Sequence, residues 1–165
     1  MISLTDAQLN AWLINFIWPL TRILGLIMVA PVFGHRSVPA RVKIGLGIFI
    51  ALIISPTLPP MPDVGLGSWH GLFILVQQLL IGMAIGFIMR VIFAAIEAAG
   101  EIVGLQMGLG FASFFDPQSA GQTLVVAQFF NMLAALLFLA VNAHLLLLGV
   151  LVDSFQSLPI STQPL

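Results

Sequence analysis

Four long apolar stretches joined by short links constrain this chain more than any motif within it. They run from about Leu9 to Phe33, from Ile44 to Leu58, from Gly71 through Ile96 and from Leu124 to Val152. A helix on the surface of a soluble protein is apolar along one face, because its other face must be hydrated. These stretches are apolar nearly all round, so their solvent is lipid or other apolar protein. Composition agrees: 60% of the residues are hydrophobic and 7% are charged, against roughly 45–50% and about 25% in soluble domains. So few charges cannot cover a water-soluble surface. No alternating run is long enough for the strands of a barrel. The expected fold class is therefore all-α: an integral membrane protein with about four long hydrophobic helices, forming one membrane-embedded domain over residues 1–165.

Within the first stretch, Thr5-Asp6-Ala7-Gln8 fits a capping box, Trp12 and Trp18 suit a membrane interface, and Pro19 predicts a kink. The second stretch spans only about 22 Å as a helix, short of the ~30 Å hydrocarbon core. Arg41 and Lys43 at its start can extend that reach by snorkelling, and Pro56, Pro59, Pro60 and Pro62 stop it. The fourth is the opposite case. At about 43 Å it is longer than a perpendicular span needs, so it tilts, kinks or projects. Three of the five positive residues, Arg36, Arg41 and Lys43, lie in the first link, which the positive-inside rule places in the cytoplasm. The N-terminus and the Pro-rich link from Ser55 to Ser68 then face the other side, and the link after the third stretch returns to the cytoplasm.

Several function classes have no support. The formal net charge is -1 with no basic run, which gives no reason to expect nucleic acid. Cysteine is absent, and His35, His70 and His144 lack ligand spacing, so neither disulfides nor a metal site is expected. Nucleophile-elbow, zinc-protease and phosphate-loop signatures are missing, and Gly108-Leu-Gly110 follows no strand. No enzyme and no cofactor are expected. The N-terminus also lacks the charged region and cleavage site of a secretory signal.

The informative positions are polar groups inside apolar stretches. Arg22 needs a partner or water, unless its side chain snorkels from a kinked first helix. Arg90 reads differently, because Glu97 and Glu101 fall within about 20° of it on a helical wheel, and Gly86, Ala94, Gly104 and Gly108 within about 40°. One stripe thus carries small residues that permit close helix approach and three charges that cannot face lipid cheaply. It suits a contact with neighbouring helices or subunits, or the lining of a water-filled path. On the fourth stretch Gln128, Asn131 and Asn142 lie within an arc of about 60°, as interhelical amides would, with His144 nearly opposite.

The run from Gly104 to Gly121 combines glycines with Gln106, Met107, Leu109, Phe111, Phe114 and Phe115 before an Asp116-Pro117 turn. So apolar a loop should pack inward, either as a re-entrant structural loop or as a flexible plug.

Three blocks resemble FliR-type proteins of the type III export apparatus: PVFGHRSVPARVKIGL from Pro31 to Leu46, GEIVGLQMGLGFA from Gly100 to Ala112 followed by Asp116-Pro117, and NAHLLLL from Asn142 to Leu148 with Ser154-Phe155 and Pro159. They occur in the family's order. The resemblance implies a subunit of the flagellar export gate of the bacterial inner membrane, working in a helical hetero-oligomer. Its implied partners are FliP-type and FliQ-type subunits, a FlhB-type protein, exported unfolded flagellar proteins and membrane lipid. It also implies that Gln106, Met107, Gly108, Leu109, Gly110, Phe111, Phe114, Phe115, Asp116 and Pro117 belong to a plug of the conduit. Members of the family usually continue with further hydrophobic helices, and their helices stand partly out of the bilayer plane. The homologous injectisome subunit and a small-solute secondary transporter are the competing expectations.

Overall fold

The computed structural model describes residues 6–35, 37–58, 62, 64–65, 67–108 and 125–160, with side chains from Leu13 onward. Among them every regular element is helical: α1 (Asp6–Val29), α2 (Ala40–Ile54) with a 3-10 turn (Ser55–Thr57), α3 (Trp69–Gln106), α4 (Val125–Ala140) and α5 (Ala143–Ser157). The all-helical class read from the sequence is the fold observed.

Local chemistry sets the helix ends. Pro39 precedes α2, and its carbonyl accepts from the amides of Val42 and Lys43. Pro56 falls in the 3-10 turn that closes the helix. Ser68 starts α3, its hydroxyl oxygen accepting from the Gly71 amide at 3.1 Å and its carbonyl from the Leu72 amide. At the far end Gly108 takes φ 78, the left-handed conformation that commonly terminates helices. Helix α3 therefore runs past the Ile96 limit expected from hydropathy, and Gly104 to Gln106, expected in a loop, are its last turn.

The fourth stretch is not one helix. It breaks at Val141–Asn142, where the chain bends by 68°. Asn142 adopts φ 55, a conformation asparagine tolerates better than most residues, and its carbonyl starts α5 by accepting from Leu145 and Leu146. This is the kink among the three expected outcomes.

The chain forms two compact units, residues 1–87 with 147–165, and residues 88–146. In the first, α1 is central, with Trp18, Ile23 and Leu26 fully buried. Helix α2 runs antiparallel to it: Gly47 faces Leu24, and the Ser55 hydroxyl donates to the Asn15 carbonyl at 3.1 Å. Pro19 has no N–H to give that carbonyl four residues back, so Ser55 supplies the missing donor. Helix α3 runs parallel to α1 and so close that a Cβ at Gly82 would overlap the Arg22 carbonyl, and one at Gly86 would lie 2.9 Å from the Leu26 carbonyl. Helix α5 runs antiparallel to α1, its Leu148 and Leu151 lining an apolar crevice with Ile23, Leu26, Ile27, Phe33, Leu46 and Ile50.

In the second unit α3 and α4 are antiparallel. Phe93 meets Phe138 edge to face at 5.9 Å, and a Cβ on Gly100 would lie 2.6 Å from the Ala127 Cα.

One expectation about α1 falls. Trp18 is not at an interface; it packs with Ile14 and Ile74 in the core. Thr5, and with it the capping box, lies outside the described residues. Lys43 also departs from the snorkelling expected of it, donating instead to the Gly34 carbonyl at 2.9 Å. Two helical segments are long and apolar enough to cross a membrane, Ala40–Thr57 and Trp69–Gln106, and a third if the bent pair counts as one span. At about 57 Å, α3 is nearly twice the ~30 Å thickness of the hydrocarbon core.

Candidate functional site

The most constrained polar centre is Arg22, which is 0% exposed rather than snorkelling outward. A guanidinium keeps its charge under all ordinary conditions, so full burial requires that its donors be engaged. They are. Nε donates to Gln78 Oε1 at 2.7 Å, Nη1 to the Ser154 carbonyl at 2.8 Å and to Ser154 Oγ at 3.1 Å, and Nη2 to the Leu158 carbonyl at 2.8 Å. The Phe155 ring lies 4.1 Å from the guanidinium carbon, within cation–π range.

All of these acceptors are neutral. What offsets the charge is the negative end of a helix: Ser154 lies in the last turn of α5 and Leu158 just past its end, where the helix dipole leaves partial negative charge. Ser154 Oγ in turn donates to the Leu151 carbonyl at 2.6 Å, which leaves its lone pairs facing Arg22. Trp18 Nε1, Gln77 Oε1 and Gln78 Nε2 are also buried, without a hydrogen-bond partner among the described residues. Such a centre can hold helices in register, and its hydroxyl, Ser154 Oγ, is engaged by Arg22 and the Leu151 carbonyl. No three His, Cys, Asp or Glu side chains gather as a metal would require, among the described residues.

The residues singled out in the sequence occupy different surroundings. Gly86 is buried against Leu26 and Val29 of α1 and Ala30 just past its end, an intrachain contact. Further along α3, Arg90 and Glu101 are exposed and Glu97 is half-buried. Arg90 and Glu97 stand about 10.5 Å apart along the axis, so α3 alone does not pair them. Gln128 is exposed and Asn131 half-buried on α4. Asn142 leaves the arc projected for it, because the helix breaks there. His144 is half-buried with its Nδ1 unpartnered among the described residues.

Of the expected plug, Gln106 is the exposed last residue of α3, Met107 is exposed, and Gly108 is the left-handed terminator. Leu109, Gly110, Phe111, Phe114, Phe115, Asp116 and Pro117 lie outside the described residues.

Sequence reading missed Gln77, Gln78 and the role of Ser154 and Phe155. A usable signal was present: two adjacent amides in the third stretch have the same anomaly as Arg22 in the first. Pairing them required knowing that α1 and α3 are parallel.

Known proteins provide a second line of findings. The model of the family described as Bacterial export proteins, family 1, matches residues 13–165. The flagellar biosynthetic protein FliR of Escherichia coli K12 is 50% identical over 165 residues, the whole chain and 63% of that protein. That of Pectobacterium carotovorum is 47% identical over the same shares, and that of Bacillus subtilis 168 is 36% identical over 88% of this chain and 54% of its own length. The chain thus spans less than two thirds of the length of these relatives.

Proposed function

The chain belongs to the bacterial export protein family, family 1, and on that premise we propose that it is a subunit of the flagellar type III protein export gate. In this reading it is a non-enzymatic part of the conduit that carries unfolded flagellar proteins across the bacterial inner membrane. The observation that carries the reading is similarity along the whole chain to relatives named as flagellar biosynthetic proteins, at up to 50% identity. Physical features support it. Phe87, Ile88, Ile92, Phe129, Met132 and Leu137 are each more than half exposed, a surface that suits lipid and partner subunits and not water.

The partners in this reading are FliP-type and FliQ-type subunits and a FlhB-type protein. Arg90, Glu97 and Glu101, with Gln128 and Asn131, are the contact residues toward them, since charges exposed on an apolar helix favour protein or water over lipid. Gln106 to Pro117 form the plug that obstructs the conduit at rest. Affinity purification in mild detergent with mass spectrometry tests the assignment: FliP-type and FliQ-type proteins are expected in one large complex. A lone chain or homodimer, under conditions that preserve a known gate, would refute it. Deleting Gly110 to Gln118 should raise ion leakage through the assembled gate, and unchanged leakage with intact assembly would remove the plug.

A further inference from the structure

We propose that Arg22 is a positioning residue that caps α5 from a distance and thereby sets the course of the chain as it leaves that helix. A helix ends with carbonyls that lack intrahelical donors. Usual remedies are a left-handed glycine just past the end or a basic side chain in the last turn. Helix α5 has neither: its last turn holds no basic residue, and Leu158 and Pro159 follow Ser157 in place of a glycine. Pro159 also lacks the N–H that would have reached back to the Phe155 carbonyl.

Arg22 fills this gap at the Leu158 carbonyl, 136 positions away in sequence, through Nη2. Its Nη1 adds a second donor to the Ser154 carbonyl, which already accepts from the Leu158 amide at 2.9 Å, and Nε is fixed by Gln78 of α3. The Phe155 ring closes over the guanidinium carbon at 4.1 Å. Three helices meet at one cation, and each attachment has its own direction. Two residues beyond Leu158, Ile160 packs against the Ile14–Trp18–Ile74 cluster, one turn of α1 below Arg22. The segment after α5 is therefore seated on the α1–α3 crossing, with the guanidinium as the only charged group holding it among the described residues. The inference does not depend on the export assignment, since it rests on contacts within one compact unit.

The chain has no cysteine, so introduced pairs report without background. One pair, Ile14→Cys with Ile160→Cys, reads the seating of the segment after α5. A second, Leu24→Cys with Gly47→Cys, reads α1–α2 packing away from Arg22. Both are to be cross-linked in native membranes with a short bifunctional thiol reagent, in the full chain carrying Arg22, Arg22→Met or Arg22→Lys. Loss of charge-assisted hydrogen bonds should lower the Ile14–Ile160 yield about tenfold in Arg22→Met, with the Leu24–Gly47 yield held within about twofold because that site shares no partner with it. Arg22→Lys should lower the first yield as well, since a single ammonium cannot span both carbonyls and Gln78. An unchanged first yield in Arg22→Met would overturn the proposal. So would a joint fall of both yields, which would make Arg22 a general folding requirement, or full seating with lysine, which would make the fork irrelevant.

Discussion

Helix α3 is two different helices in one. From Trp69 to Phe87 its inward positions, Gln77, Gln78, Gly82 and Gly86, are buried, with Gly82 and Gly86 close enough to α1 for backbone to meet backbone. From Ile88 to Gln106 its burial rests on Phe93, Gly100 and Gly104, while Arg90 and Glu101 stand exposed. Both halves are drawn from the same apolar alphabet, so composition does not separate them. The neighbours do. The first half packs in a unit with α1, α2 and most of α5, and there Gln78 Oε1 reaches Arg22. The second shares its unit mainly with α4. An exposed isoleucine is inexpensive in lipid, whereas an exposed arginine or glutamate is not. On the function proposed above, Arg22 and Gln78 serve the chain's own fold, and the charges of the second half are provided for something outside it.

The largest predicted effect probes the close crossing. Gly82→Ala places a methyl where the Arg22 carbonyl sits, backbone against backbone, and neither helix can yield without disturbing the guanidinium knot. We expect a loss of about 3 kcal/mol, the upper end for overpacking, measured by denaturant unfolding in detergent micelles. Gly100→Ala is its counterpart in the second half, and there α4 alone must move, so about 1–2 kcal/mol is expected. Equal losses would break the contrast. Next in size, Gln78→Leu leaves Arg22 Nε buried without an acceptor and should cost about 2 kcal/mol, whereas Gln128→Leu, at an exposed position, should change the purified chain by less than about 0.5 kcal/mol.

How much of this was legible beforehand follows from the same contrast. Long apolar runs gave the helices, because hydropathy is a local property of the chain. Helix ends were harder. Gly108 halts α3 with a conformation that a glycine permits but does not require, so the loop was expected to begin at Gly104. The break at Asn142 was open in the sequence only as one of three ways to shorten an overlong span. Arg22 is anomalous in the sequence, but snorkelling and an internal partner stand open there as alternatives, since its acceptors lie 56 and more positions away. Partners at such separations are fixed by helix direction and register, which no single stretch encodes. The run from Leu109 to Pro117 reads from its glycines and phenylalanines as a re-entrant loop or a plug, only the family resemblance favours the plug, and the run falls outside the described residues.

Asn142→Ala comes third in expected size. A left-handed conformation costs alanine roughly 1–2 kcal/mol, and asparagine less, so a loss of about 1 kcal/mol in the same unfolding assay is expected. Asn142→Gly should be neutral or slightly stabilising, because glycine takes that conformation readily. If alanine were tolerated equally well, the break would be imposed by packing on either side and not by the residue itself.

The smallest effect tests the second half of α3 directly. Glu97 and Glu101 lie one helical turn apart and carry like charges, Glu101 exposed and Glu97 half-buried. Such a pair repels by a few tenths of a kcal/mol in a solvated helix, so Glu101→Gln should stabilise the purified chain by about 0.2–0.5 kcal/mol. The gain should shrink as salt is raised, because exposed charges are screened over about 8–10 Å near physiological ionic strength. A gain above about 1 kcal/mol, insensitive to salt, would mean that the two carboxylates already share a low-dielectric setting within this chain. The second half would then be as enclosed as the first, and the charges would have to be explained as part of the fold. The expected small, salt-sensitive gain instead leaves them available to a partner, where the same substitution should weaken assembly more than it steadies the helix.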